Sequence, residues 1–426
     1  MSADIASFPI LEGFDPFSAD FLSDPAPTIK RAQATKPVFY YPPLRMWVIT
    51  SYDDICRAAR DWETFSSKAA GMVPPPDDIK PRIPDTFVAD HFISLDPPAH
   101  TADRTAVARH FLPRELLKQE PNIRRIANLL IDRFIHKGSC DFMQEFCYPV
   151  SLNVIIGLLG VPPERADDYR MWTEDLFSIL VPKSKDAVTT PMSDVVRRER
   201  WTRLAACQDF LEKHVAERAR CPVNDLISVM LQAKDSSGNQ AIPTHRIVRQ
   251  LHELVAAGND TTANLMGQML MYLDENPEQD AEVRANPSLL SDAVEETLRR
   301  RGTSPGLFRI TTRDVEIGGA TIPEGALIWL LFIGGGLDEN HFPDSEKWDI
   351  HRPNKEKHLA FGYARHACLG SPLARLEARV AFEELLRRIP DIRVKPGQTL
   401  EYLPNLTVTT LNHLQAEWMP PATARP

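Results

Sequence analysis

Residues 358–379 read HLAFGYARHACLGSPLARLEAR. A loop carrying Gly362 delivers one cysteine, Cys368, just before an apolar-periodic run that starts near Gly370. A thiol so placed lies at a helix N-terminus, where unsatisfied backbone N–H groups favour the thiolate. A lone cysteine there is more often structural than reactive, and no cysteine-hydrolase pattern surrounds it. Cys56, Cys140, Cys147, Cys207 and Cys221 are scattered without Cys-x-x-Cys spacing, which points to neither a zinc site nor a disulfide framework.

Outward from this stretch, apolar residues recur at three and four over Leu373 to Ile389, Ser291 to Arg301 and all of Thr101 to Asn286, so helix dominates the expectation. The longest candidate takes Thr244 as N-cap after Pro243 and meets no proline until Pro277, roughly 45 Å at about 1.5 Å per residue. Its middle holds Gly258-Asn259-Asp260-Thr261-Thr262, a costly choice: glycine loses about 1 kcal/mol in a helix interior, and Asn, Asp and Thr compete for backbone hydrogen bonds. Two readings stand. The segment is a tolerated kink, or it lines a pocket where a carboxylate and an alcohol manage protons beside a reactive centre. Alternation and turn residues mark β-rich parts at roughly 38–51, 309–331 and 395–420. The expected organisation is one mainly helical domain over 1–426 with a small β-rich portion.

Composition narrows the function. The chain has 426 residues, 43% of them hydrophobic, ample for a buried core. Its net charge of -9, from 58 acidic and 49 basic residues, argues against nucleic-acid or anionic-membrane binding. The first residues show neither a basic n-region nor a sustained apolar h-region. The longest apolar run, Gly325 to Leu337, falls short of the about 20 residues that span a bilayer. A cytoplasmic protein without a membrane anchor is expected.

The pattern Phe361-Gly362-x-x-x-His366-x-Cys368-x-Gly370, followed by Leu373-Ala374-Arg375-x-Glu377, resembles the haem-binding loop and following helix of the cytochrome P450 family. Three more places match in order. Ala257-Gly258-Asn259-Asp260-Thr261-Thr262 resembles the oxygen-activation segment, Glu296-x-x-Arg299 the structural ion pair, and Leu95-Asp96-Pro97-Pro98-x-His100-Thr101-x-x-Arg104 the entry into a propionate-binding helix. The resemblance implies the P450 fold, with haem between the long central helix and the helix after the cysteine loop. Cys368 becomes the axial ligand of the iron in haem b (iron protoporphyrin IX). Phe361, His366 and Gly370 join it in holding the cofactor, with His100, Arg104 and Arg309 as propionate donors. Asp260 and Thr261 become the catalytic acid–alcohol pair, and Gly258 leaves room for oxygen. Glu296, Arg299 and Arg352 form a buried scaffold. In one departure, Ala364 stands where the family usually has glycine, which would strain the loop if that position needs positive φ.

The same resemblance implies a monooxygenase with dioxygen as cosubstrate. It places the substrate among the loop Ser66 to His91, the helices around Met171 to Trp201, Ala256 and Ala257 of the long helix, Pro305 to Phe308 and Asn405 to Val408. Leu307, Phe308 and Leu406 favour a small or medium-sized apolar molecule, aromatic or terpenoid. Glu253, seven residues before Asp260, is read first as a carboxylate paired with a neighbouring helix and second as a group for a polar or cationic substrate end. No Gly-x-Gly-x-x-Gly fingerprint appears, so NAD(P)H acts only indirectly, through a ferredoxin and ferredoxin reductase. Arg109, Arg114 and Arg365 are candidates for the ferredoxin face of a monomer. A peroxygenase or isomerase and a non-catalytic haem sensor remain the alternatives; Asp260-Thr261 speaks against both.

Overall fold

The computed structural model describes residues 7–68, 73–187 and 189–421. Its β portion is organised by two short strands, Val38–Tyr41 and Met46–Ile49, whose aromatic and β-branched residues are all buried. Pro42–Leu44 forms the turn, and Arg45 closes it at φ +50. These strands pair antiparallel, with Val38 opposite Ile49. Met46–Ile49 then pairs in parallel with Leu327–Leu330, far along the chain. Leu307–Thr311 and the edge strand Phe65–Ser66 complete a five-stranded sheet. Smaller sheets form from Val315–Ile317 with Ala320–Ile322, Tyr402–Leu403 with Thr410–Leu411, and Gln415–Glu417 between Ser139–Asp141 and Arg393–Val394.

The helical body surrounds the central helix Thr244–Glu275. Ile247, Leu251, Leu265, Met269 and Leu273 are buried along it, in one cluster with residues of Glu120–Ile131, Tyr148–Leu158, Leu290–Arg300 and Ser371–Arg388. Two details differ from expectation. Thr244 is the first helical residue, and Pro243 precedes it as a cap without a side-chain bond. The span from Thr101 to Asn286 is several helices, interrupted by the Ser139–Asp141 strand and by non-helical chain after Leu180, Arg220 and Gln232. Pro182, Pro191, Pro222 and Pro243 fall in these breaks, where a missing N–H and a restricted preceding residue end helices.

The weak middle of the central helix does not break. The Ser151 hydroxyl lies 2.9 Å from the Gly258 carbonyl and 3.0 Å from that of Asn259, giving these groups a partner on the adjacent helix. A Cβ at Gly258 would stand 2.9 Å from Ile155 Cγ1, so this glycine permits the helices' close approach.

Candidate active site

The cysteine loop leaves the sheet side of the molecule and ends at Ser371–Arg388, with Gly370 as N-cap. Gly362 has φ +70, which suits glycine, and the Cys368 N–H donates to the Phe361 carbonyl at 2.7 Å, closing the loop. Ala364 does take φ +56, the left-handed region. Gly370, by contrast, sits at φ -80, where any residue fits; a Cβ there would lie 3.9 Å from Cys368 Sγ. The sulfur is enclosed by protein, yet its side chain is exposed toward the interior cavity it lines. Burial pushes its thiol up, against the backbone N–H groups of Gly370 and Ser371 and the charges of Arg104 and Arg375. Arg375 stacks over the Phe361 ring at 4.5 Å and pairs with Glu295 at 2.9 Å.

Beside the loop lies a cluster of cationic and imidazole groups. His100 and His366 stack with centroids 4.1 Å apart. Arg104, one turn after His100, faces the same cavity, and Arg309 is almost wholly buried. Among the described residues no carboxylate forms an ion pair with any of these four. Asp96, whose charge reaches His100 and Arg309, is engaged by Ser66 Oγ at 2.5 Å and the Ser67 N–H at 2.9 Å. Among the described residues the Arg309 guanidinium has only the Phe308 carbonyl, 2.7 Å away, and His100 Nε2 is buried without a partner. Burial, reinforced by the neighbouring arginines, pushes His100 down to about 4 and His366 to about 2; burial alone brings Arg309 down to about 10.

A cavity of about 360 Å³ runs from this cluster past Cys368 to the central helix. Ala256, Ala257, Glu253, Thr261, Leu307, Phe308 and Phe361 line it. Thr261 donates its hydroxyl to the Ala257 carbonyl at 2.7 Å. Asp260 stands behind this wall, accepting from Asn259 Nδ2 at 3.0 Å, with Arg170, Glu174 and Lys183 as charged neighbours; burial pushes it up to about 6. Leu406 is a correction. It is buried with Phe39, Trp329 and Leu331 against the sheet, while Thr407 and Val408 face the cavity. The Asn405 carboxamide accepts both of their N–H groups, at 2.9 and 3.3 Å, and this turn separates them from Leu406. Glu253 does pair with a neighbouring helix, through the backbone: its Oε1 accepts, at 3.0 Å, the N–H of Ile93 in the short 3-10 helix Phe92–Ser94. Residues 69–72, inside the expected substrate loop, and residue 188 lie outside the described residues.

The Cytochrome P450 family profile matches residues 39–400. The chain belongs to the cytochrome P450 family. Its relatives include Cytochrome P450 107B1 of Saccharopolyspora erythraea, 33% identical over 82% of this chain and 84% of that one. Cytochrome P450 monooxygenase PikC of Streptomyces venezuelae is 30% identical over 97% and 95%. Among solved structures, cytochrome P450 CREJ in complex with (4-ethylphenyl) dihydrogen phosphate superposes with a TM-score of 0.86 at 28% identity, covering 96% and 99%. The family is one of haem- and dioxygen-dependent monooxygenases, and this chain has the P450 fold.

The residues present fit the P450 cofactor. A cavity-facing thiol stands near two arginines, Arg104 and Arg309, that have no ion-pair partner among the described residues, with two imidazoles beside them, and two propionates are the charge such a cluster would take. Glu296, Arg299 and Arg352 lie outside the cavity as a buried network. Arg299 grips Glu296 with two bonds of 2.8 Å, and Arg352 Nε reaches the same carboxylate at 3.2 Å. Ser67 belongs to the expected substrate loop, but its contact with the site did not show in the sequence: its hydroxyl lies 3.0 Å from His366 Nε2 across 299 positions, and Thr303, just ahead of the Pro305 to Phe308 stretch, also lines the cavity. Nothing local marks that role for Ser67, a small polar residue in a loop. Glu377 belonged to the quoted motif without a role; it borders the cavity with Oε2 unpartnered, and burial pushes it far up. Among the described residues no helix is long and apolar enough to cross a membrane.

Proposed function

We propose that this P450 inserts one atom of dioxygen into a small or medium-sized apolar organic substrate, aromatic or terpenoid in character. Electrons come from a ferredoxin and its reductase, with NAD(P)H entering only through them. The cofactor would be haem b, its iron held by Cys368 and its propionates by His100, Arg104, His366 and Arg309. A haem-bound thiolate supplies the electron donation that favours O–O cleavage. The protein is a cytoplasmic monomer, and 1–426 acts as one domain.

The observation that carries this reading is the division of labour at Asp260-Thr261. Thr261 is on the cavity, whereas Asp260 is one position behind it among Arg170, Glu174 and Lys183. Oxygen insertion consumes two electrons and two protons and releases water. Asp260, raised to about 6, exchanges protons near neutrality, and the Thr261 hydroxyl presents them at the wall. A peroxide-driven enzyme or a haem sensor has no use for this relay. Leu307 and Phe308 supply an apolar wall for the substrate.

The test starts with the reduced, carbon monoxide-treated holoprotein, expected to absorb near about 450 nm as a haem thiolate. Turnover of candidate substrates is then compared with reduced ferredoxin and with peroxide. Product from ferredoxin and dioxygen supports the proposal; product from peroxide alone overturns it.

A further inference from the structure

Among the described residues of the central helix that line the cavity, Glu253 is the acid that the relay does not use. It lies eight residues before Thr261 on the cavity face of the central helix, about 12 Å along the axis. Its surroundings on the cavity are His91, Phe92, Ile93, Leu254 and Ala257. Oε1 is occupied by the Ile93 N–H at 3.0 Å; Oε2 is buried and has no partner. Burial pushes the carboxyl up to about 7, opposed among the described residues by the backbone N–H groups of Ile93 and Phe92.

No nearby side chain supplies a cation. Arg249, one turn earlier, is held over the Phe87 ring at 4.9 Å. Burial keeps His91 neutral by pushing it down to about 3. Capping the Ile93 N–H needs a single oxygen, which glutamine would also provide. The second oxygen therefore leaves the wall with an unmet acceptor unless something binds it.

We propose that Glu253 is a specificity-determining residue whose carboxylate takes the protonated amine of an otherwise apolar substrate. This rests on the monooxygenase reading and refines it: the substrate is a lipophilic amine. Its nitrogen is anchored two helical turns from Thr261, so oxidation falls on a carbon several bonds from nitrogen.

The holoenzyme is titrated with N,N-dimethyl-4-phenylbutylamine, 4-phenylbutanol and 4-phenylbutanoate, followed by the haem spin-state shift and by calorimetry. The amine is expected to bind at least about tenfold more tightly than the carboxylate. Glu253→Gln keeps an oxygen for Ile93 and is expected to bring the ratio near one, with the carbon monoxide spectrum unchanged. Equal or tighter binding of the carboxylate by wild type overturns the proposal even if the variant does not fold. A ratio that survives Glu253→Gln overturns it as well. Loss of the band near about 450 nm in the wild type is a failure of the monooxygenase reading, and the calorimetric ratio still decides the amine site.

Discussion

Between Gly362 and Cys368 the chain turns through Ala364 at φ +56, where an L side chain crowds the backbone. That strain is about 1–2 kcal/mol, and glycine would return about 0.4–1 kcal/mol of it as unfolded-chain entropy. Ala364→Gly is therefore expected to raise stability by up to about 1 kcal/mol in urea unfolding, with the carbon monoxide band unmoved. Asp260 shows the opposite balance, a residue costly to the fold and useful to the chemistry. Its folded value of about 6 lies above the ordinary 3.8. Its contribution to stability is thus fully present below 3.8 and is lost as pH rises through about 6. Asp260→Asn should raise the thermal midpoint at pH 8 relative to wild type, while coupled turnover falls by about a hundredfold and substrate binding holds. If turnover is unchanged, Asp260 is no proton carrier. Cys368 and His366 were legible as residues because their loop has a fixed spacing. Ser67 was not, since what makes it part of the site is a contact across the molecule.

At the scale of elements, the sequence showed most helices, because a 3.6-residue repeat reports a buried face directly. It misplaced their ends where prolines set the breaks, and read Leu406 as pocket because nothing in Asn-Leu-Thr-Val tells which side of an extended chain faces the cavity. Glycine 258 was read as space for oxygen; a Cβ there would meet Ile155, a helix contact invisible in one dimension. The Glu296–Arg299–Arg352 network, inferred from an i, i+3 pair, joins the Leu290–Arg300 helix to the loop around Lys347 through Arg299 Nη2 and the Lys347 carbonyl at 2.9 Å. Removing one charge strands its buried partners. Glu296→Gln is expected to cost about 3–5 kcal/mol, seen as a lower urea midpoint and poor haem retention; a loss below about 1 kcal/mol would assign the network no structural weight.

Over the whole molecule, the formal charge of -9 would repel an acidic electron donor, so docking depends on a local exception. Arg109 and Arg365 are exposed and form no ion pair among the described residues, and Arg114 is 80% exposed beside Glu115. Arg109→Glu should raise the KM for ferredoxin about tenfold and flatten its salt dependence, leaving dithionite reduction unaltered. Equal loss with dithionite would point to damage at the haem instead. The parallel pairing of Met46–Ile49 with Leu327–Leu330 acts on a different timescale. Those strands are about 280 positions apart, and ribosomes add about 5–20 residues per second. The hairpin bearing Tyr40 and Trp47 therefore waits roughly 15–60 seconds for its neighbour during synthesis. Throughout that interval an aromatic strand edge is open, a natural client for a chaperone, and the cavity cannot form until the loop bearing Cys368, more than 300 positions after the hairpin, has left the ribosome.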